Sequence, residues 1–520
     1  MNWLDWAALS LYIVVLVSIA LWHSRKIVSR DDVYLAGRSM SRWPIAMSMY
    51  MAIFSTNTFL GVTGWVNRPD GSVWIGLQPV GIVLAAPFVI WLFPTLFCRL
   101  RITTAYEYLE MRFNRSTRWA ATLFFLGARL MWMATMSYSA SLVVSRMIGQ
   151  SHGEGVNWGA LGLCALGTAL AFAGGMHAVI WTDVVQFFIF FAAVLLMIVL
   201  GVSDSGGLGN VLAIGQQHGR FTPPAVADVT QEFSMLGVLL MGFVGMLASS
   251  GADQVVLQTY LTAKSEKEAK RALWRNALCL KPLSLIYPFL GLIIFAYFQL
   301  HPQVKSLMRH SDDALPVFVM NVLPHGVRGL MVVAILTAVL TSLESGLTAL
   351  SAVAQTHLFG HRSADAAQSV RLARGILVAS GVIVGAAALW VETMGRNIVQ
   401  ILNLVMYPFS GVLLGIFLLG VLARRANGAG ALIGAVVGFL VTVAIPLSGR
   451  ALPAIEAWSP GLAATVRDLS RVSTFYFGFL GAAATLVVGY AASLCYPPPA
   501  AGQLEGLTRW SLKPEPDETE

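Results

Sequence analysis

The chain has 520 residues, of which 57% are apolar and 12% are Asp, Glu, Lys or Arg, about half of the roughly 25% charge that a soluble domain carries. Mean hydropathy is +0.70, and the four cysteines (Cys98, Cys164, Cys279, Cys495) lie in or beside apolar runs without a CxxC pair, so a soluble enzyme, a zinc module and a disulfide scaffold are all disfavoured. An integral membrane protein remains.

A helix needs about 20 mostly apolar residues to cross the hydrocarbon core. Such runs occur at about 3–22, 43–65, 75–98, 119–148, 158–174, 177–200, 232–258, 276–300, 327–358, 373–392, 396–421, 428–447 and 472–495. They predict an all-α membrane protein with 13 transmembrane helices. The first run opens with Asp5 rather than a basic stretch, unlike a cleavable signal peptide. The runs are continuous rather than alternating, which excludes a β-barrel.

Alternate loops (23–42, 99–118, 259–275, 359–374, 422–427 and the tail) hold 22 of the 34 Lys and Arg. The positive-inside rule then places the N-terminus outside and the C-terminus in the cytoplasm of a multi-pass protein of the plasma (cell inner) membrane. The net charge of +8 reads as a topology signal with weak attraction for anionic membrane lipid, and no nucleic-acid partner is expected. The segment after Pro497, Pro-rich and acidic at its end, reads as a disordered tail.

Ionisable residues inside spans are costly and mark pathways or paired structural sites. Arg129, Arg146, Asp183, Asp253, Lys281 and Glu344 are the candidates. Arg146 and Lys281 lie near predicted ends, where long side chains snorkel. Asp253 suits capping or loop pairing as well as transport chemistry. Arg129 and Asp183 lie deeper.

Two hydroxyl-rich stretches add to these. MYMAIFSTNTFLGVTG (49–64) places Ser55, Thr56, Asn57, Thr58 and Thr63 in one span, followed by Gly61 and Gly64 as possible points of opening. TAVLTSLESGLTALS (337–351) contains Thr341, Ser342, Ser345, Thr348 and Ser351. Ala338 lies one turn before Thr341 and Ser342, so two hydroxyls and one carbonyl share a face. Neutral oxygens of this kind suit reversible sodium binding. Ser and Thr in membrane helices also bond back to their own carbonyls or join helices, and spacing alone leaves both readings open.

Five segments resemble the sodium:solute symporters: DVYLAGRSMSRWP (32–44), ITTAYEYLEMRF (102–113), GGMHAVIWTDVVQ (174–186), DQVVLQTYLTAKSEKEAKRAL (253–273) and TSLESGLTALS (341–351). They occur in the family's order over about residues 1–495. The resemblance implies a LeuT-like, five-plus-five inverted-repeat core with broken helices meeting at a midplane site. It implies this division: a leading helix and cytoplasmic loop (1–42), a first repeat (43–200), a second repeat with an outer loop (201–421), two further helices (422–496) and the tail (497–520). The sodium site it implies uses carbonyls of Met51, Phe54 and Ala338 with the hydroxyls of Thr341 and Ser342. Asp183 matches an acidic residue near an inner sodium exit or a second cation site.

The look is closest to the members that carry carboxylates, including monocarboxylates and sialic acid. Arg129 is similar in position to an arginine that grips the substrate carboxylate there, a role suited to an always-charged, bidentate guanidinium. Ser55, Thr56, Thr58 and Gln78 are similar to other substrate-facing positions. Tyr407 with Pro408 implies a gate or a kink. The expected function is secondary active uptake of a small organic anion coupled to Na⁺, with no organic cofactor and no enzyme activity. A sugar or proline symporter, a proton-coupled version using Asp183, and a membrane-embedded enzyme on lipid-linked substrate are the alternatives. The last would want an interfacial His/Asp cluster, and no HExxH pair is present.

Overall fold

The computed structural model describes residues 2–25, 27–54, 56–147, 158–231, 233–308, 310–359, 366–393 and 398–512. Among them the regular structure is helical, and the one strand-like pairing is an isolated bridge between Met40 and Ala263. Among the described residues nine helices are long and apolar enough to cross a bilayer, or up to eleven if each of two bent pairs counts as one span. The predicted runs at 158–174 and 177–200 fall in one helical stretch, Trp158–Asp204. At 1.5 Å per residue it would reach about 70 Å if straight, twice the hydrocarbon thickness. Gly175 breaks it with φ 54° and ψ −160°. A Cβ there would lie 3.1 Å from the Val33 carbonyl oxygen, so glycine serves both the turn and the close approach.

We number the helices that position the site α1 (Trp3–Ser24), α2 (Arg42–Ile53), α3 (Thr56–Val66), α4 (Gln78–Leu92), α5 (Ala105–Arg112), α6 (Arg115–Met147), α7 (Trp158–Asp204), α8 (Met235–Gly251), α9 (Gln254–Leu261), α10 (Ile286–Leu300), α11 (Val327–Ala354) and α12 (Ile398–Leu422). The helix α2 and the part of α3 from Thr58 onward are bent by 63°, and α8 and α9 by 58°. These are the two broken spans. At the centre lies α11, with 94% of its most apolar window buried. Lipid therefore does not reach most of it, and its polar side chains must find partners in neighbouring helices.

Asp5 joins the leading helix to this centre. Its Oδ2 accepts from the Asn2 N–H at 2.8 Å in a capping box. Its Oδ1 accepts from the Gly326 and Gly329 N–H groups, each at 2.8 Å, satisfying open donors at the start of α11. At the other end Arg112 is fully buried and donates to the carbonyls of Gly420 and Ala423 at the C-terminus of α12.

The tail departs from expectation. Residues up to Leu512 pack against the ends of α5 and α12. The Tyr108 hydroxyl donates to the Leu507 carbonyl (2.9 Å), Gln503 donates to Phe113 (2.6 Å) and the Trp510 indole donates to Leu422 (2.8 Å). Polar composition suggested disorder, but Leu507 is buried in the main core cluster and Trp510 packs edge-on against Trp91. Residues 513–520 lie outside the described residues.

Candidate functional site

The first break forms where α2 stops at Ile53 and Phe54 turns extended (φ −62°, ψ 132°). The Phe54 N–H still reaches back to the Tyr50 carbonyl at 3.0 Å, while later carbonyls of this last turn lose their intrahelical partners. Into this break α11 projects its hydroxyls. Ser342 Oγ lies 3.1 Å from the Phe54 carbonyl oxygen and 3.3 Å from that of Ala338. Thr341 Oγ1 lies 3.4 Å from the same Ala338 oxygen. Four of the five groups expected at the sodium site thus converge, all on residues at most 4% exposed. Met51, also buried, lies one turn before Phe54 in the same open turn. The chemistry is neutral oxygen only, and a hydroxyl can turn a lone pair toward a cation as readily as its hydrogen toward a carbonyl. Such a set fits sodium.

Asp183 on α7 is fully buried, and its Oδ2 accepts from Ser48 Oγ of α2 at 2.5 Å. Its Oδ1 has no hydrogen-bond partner. Beside it, Thr182 Oγ1 lies 2.8 Å from Glu344 Oε2, and Glu344 Oε1 is likewise unpartnered and buried. Gln186 and Thr337 both donate to the Tyr12 hydroxyl (2.9 and 3.0 Å). A polar cluster therefore runs from α1 through α7 to α11, two residues from Ser342. Sequence reasoning listed Glu344 without placing it beside Asp183, and missed Ser48, Tyr12 and Gln186. Only Gln186 had a usable signal, lying three residues after Asp183 on the same helix face.

Arg129 on α6 is 6% exposed. Among the described residues it pairs with neither Asp183 nor a carbonyl: its Nη1 lies 3.6 Å from Asp253 Oδ2, while its Nε and Nη2 are buried without a partner. Asp253 sits in the second break and also caps α9, its Oδ1 accepting from the Val255 N–H at 2.8 Å. On the other side α11 makes room with Gly346, where a Cβ would lie 3.2 Å from Arg129 Nε.

Lys281 does not snorkel: it is 7% exposed, with Nζ 4.9 Å from the centre of the Tyr50 ring, a cation–π contact. Gln78 opens α4 half-buried, its carbonyl packed close to Gly242 of α8. Thr58 is half-buried in α3. The site expectations at Ser55, and at the side chains of Thr56 and Tyr407, lie outside the described residues.

The family model "Sodium:solute symporter family" matches residues 33–438. The chain belongs to that family. Similar proteins include a sodium/sialic acid symporter of Aliivibrio fischeri, 28% identical over 492 residues that cover 94% of this chain and 92% of the relative. A sodium-dependent multivitamin transporter of Oryctolagus cuniculus is 30% identical over 454 residues, covering 84% and 69%. Among solved structures, a Na⁺-coupled sialic acid symporter in a substrate-bound, outward-open state superposes with a TM-score of 0.82 at 22% identity, covering 96% of this chain and 99% of that one. A nucleobase-cation symporter in a closed conformation gives a TM-score of 0.55 at 12% identity, covering 92% and 98%. These likenesses establish the LeuT-like fold. This symporter-family member is a sodium-coupled, multi-pass membrane transporter and not an enzyme.

Proposed function

We propose that this symporter takes up a small carboxylate, of the monocarboxylate or sialic acid kind, with Na⁺ moving down its gradient. The observation that carries this reading is Arg129: a buried guanidinium with two unpartnered nitrogens, held between α11 and the break at Asp253. A membrane interior tolerates an unsatisfied cation only at cost, and a planar donor fork matches a carboxylate. Sialic acid and monocarboxylate relatives support the same class.

In this reading Na⁺ sits among the carbonyls of Met51, Phe54 and Ala338 and the hydroxyls of Thr341 and Ser342. It ties α2 to α11 and favours the outward-open state that binds substrate, a differential affinity between two states. Ser55, Thr56, Thr58 and Gln78 complete the substrate surface, and Tyr407 serves as a gate. Asp183 lies on the inner exit path or in a second cation site, supported by its unpartnered oxygen. Each net positive charge moved inward across 100 mV gains about 2.3 kcal/mol. Electrogenic uptake of a monoanion therefore needs at least two Na⁺.

We place the protein in the cell membrane with thirteen spans, the N-terminus outside and the C-terminus in the cytoplasm. The inverted repeats would be 43–200 and 201–421, and a bend of similar size in the first helix of each supports that division. This sidedness is supported by Asp5 meeting Gly326 and by the tail meeting Tyr108, since each terminus then contacts a segment assigned to the same side.

The test is uptake in proteoliposomes with monocarboxylates, sialic acid, sugars and proline, with and without a Na⁺ gradient. Carboxylate accumulation that needs the gradient is expected. Accumulation of a sugar or proline instead, or of any solute without Na⁺ dependence, would overturn the reading.

A further inference from the structure

The second break carries a carboxylate that touches the same guanidinium a substrate carboxylate would need. Asp253 is fixed from several directions. Its Oδ1 accepts from the Val255 N–H (2.8 Å) and its own N–H donates to the Ala248 carbonyl (3.0 Å). The Ala252 carbonyl accepts from the Tyr106 hydroxyl (3.1 Å). Gln254 accepts from the Ala105 N–H and donates to the Thr103 carbonyl, both at 2.8 Å. Asp253 is thereby clamped to the start of α5 and has little freedom to follow a moving partner.

Arg129 is the less firmly held half. It meets Asp253 through one nitrogen at 3.6 Å, longer than the roughly 2.7–2.9 Å of a charge-assisted hydrogen bond. Two of its nitrogens have no partner. The pair thus neutralises a buried charge without using the fork that makes arginine selective. A bidentate carboxylate would satisfy more of the guanidinium than Asp253 does.

We propose that Asp253 is an internal competitor for Arg129: it holds the guanidinium when no substrate is bound and yields it to the substrate carboxylate, so that it sets how strongly carboxylates are preferred. This rests on the assignment of Arg129 to the substrate. Asp253 acts through Arg129 and is a positioning residue. A purely capping role would leave carboxylate preference unchanged.

The experiment titrates sialic acid and propionate, each beside its uncharged counterpart (sialic acid methyl ester, propionamide), into the purified full-length protein in nanodiscs with saturating Na⁺. Asp253→Asn keeps the cap, because Asn caps helices as well as Asp. If the pair is closed about nine-tenths of the time, removing the competitor raises apparent carboxylate affinity about tenfold, with no change for the neutral compound. In an Arg129→Ala background the same substitution should do nothing. Equal effects on charged and neutral probes, or no tightening, overturn the inference. If Arg129→Ala loses carboxylate binding and Asp253→Asn does not tighten it, only the competitor role fails. If Arg129→Ala leaves carboxylate binding intact, or no carboxylate binds any variant, both readings fail together.

Discussion

The two breaks bend by similar angles, 63° and 58°, yet they are finished with opposite chemistry. At the first, the Phe54 carbonyl meets the Ser342 hydroxyl of α11, and no charged group bonds to it among the described residues. At the second, an acidic cap, a tyrosine, a glutamine and an arginine surround Ala252 and Asp253. A neutral set lets a cation leave as readily as it arrives, while a buried charge demands a counter-ion of fixed sign. In the proposed reading the same backbone device, a bent helix pair, would thus serve a cation at one break and an anion at the other.

The largest test of this contrast removes the neutral oxygens. Thr341→Ala with Ser342→Ala deletes two hydroxyls facing the first break, each worth about 1–3 kcal/mol if a buried cation depends on it. We expect Na⁺ activation of uptake to weaken roughly 100-fold or more, a change of about 2.7 kcal/mol. Measured at saturating Na⁺, substrate affinity should recover. Unchanged Na⁺ dependence would mean that Ser342 is only a helix-to-helix hydrogen bond.

Next come the carboxylates of α7 and α11. Asp183 and Glu344 each have one unpartnered oxygen and form no ion pair among the described residues. Asp183→Asn keeps the Ser48 contact and replaces an ionisable carboxyl by a neutral amide. If Asp183 helps to hold a cation, half-maximal Na⁺ concentration should rise about tenfold, near 1.4 kcal/mol, with less effect on thermal stability. Loss of stability with unchanged Na⁺ dependence would assign it to helix packing.

How much of this was legible in the sequence follows from the physics of each signal. Continuous apolar runs announce spans, because hydrocarbon excludes unpaired backbone and charge, while the bias of Lys and Arg proposes a sidedness. Thr341, Ser342 and Ala338 were legible because helical spacing alone puts them on one face. Asp253 as the partner of Arg129 was not, because the two are 124 positions apart and the bend between α8 and α9 brings them together. Lys281 failed for a related reason: its position near a predicted end said nothing of the Tyr50 ring that receives it. The tail failed because composition measures hydration, while Leu507 and Trp510 find a docking surface built by residues of α4, α5 and α12.

A smaller effect is expected away from both breaks, at Asp5. Asp5→Ala leaves the Gly326 and Gly329 N–H groups without their acceptor. The cost should be about 1–3 kcal/mol, read as a lower unfolding midpoint in detergent. Half-maximal Na⁺ concentration should hold, because the Ser342 cluster lies more than three helical turns along α11. A shifted Na⁺ response would mean that the leading helix sets the position of α11 at the first break.

The smallest expected effect is at the docked tail. Trp510 donates one indole hydrogen bond to the Leu422 carbonyl and leans on Trp91, but its side chain is 53% exposed. Water can replace the hydrogen bond at a helix C-terminus, so Trp510→Ala should cost at most about 1 kcal/mol. Uptake rate and Na⁺ dependence should stay at wild-type values while the unfolding midpoint falls by a degree or two at most. A change in uptake rate without a change in stability would carry a different meaning. The tail contacts the Phe113 and Leu422 carbonyls, on either side of the buried Arg112 anchor. An altered rate would then show that α5 and α12 separate during the cycle and that the tail resists it. The second break, clamped to α5 through Gln254, would move with them, and the two breaks would differ in mobility as well as in charge.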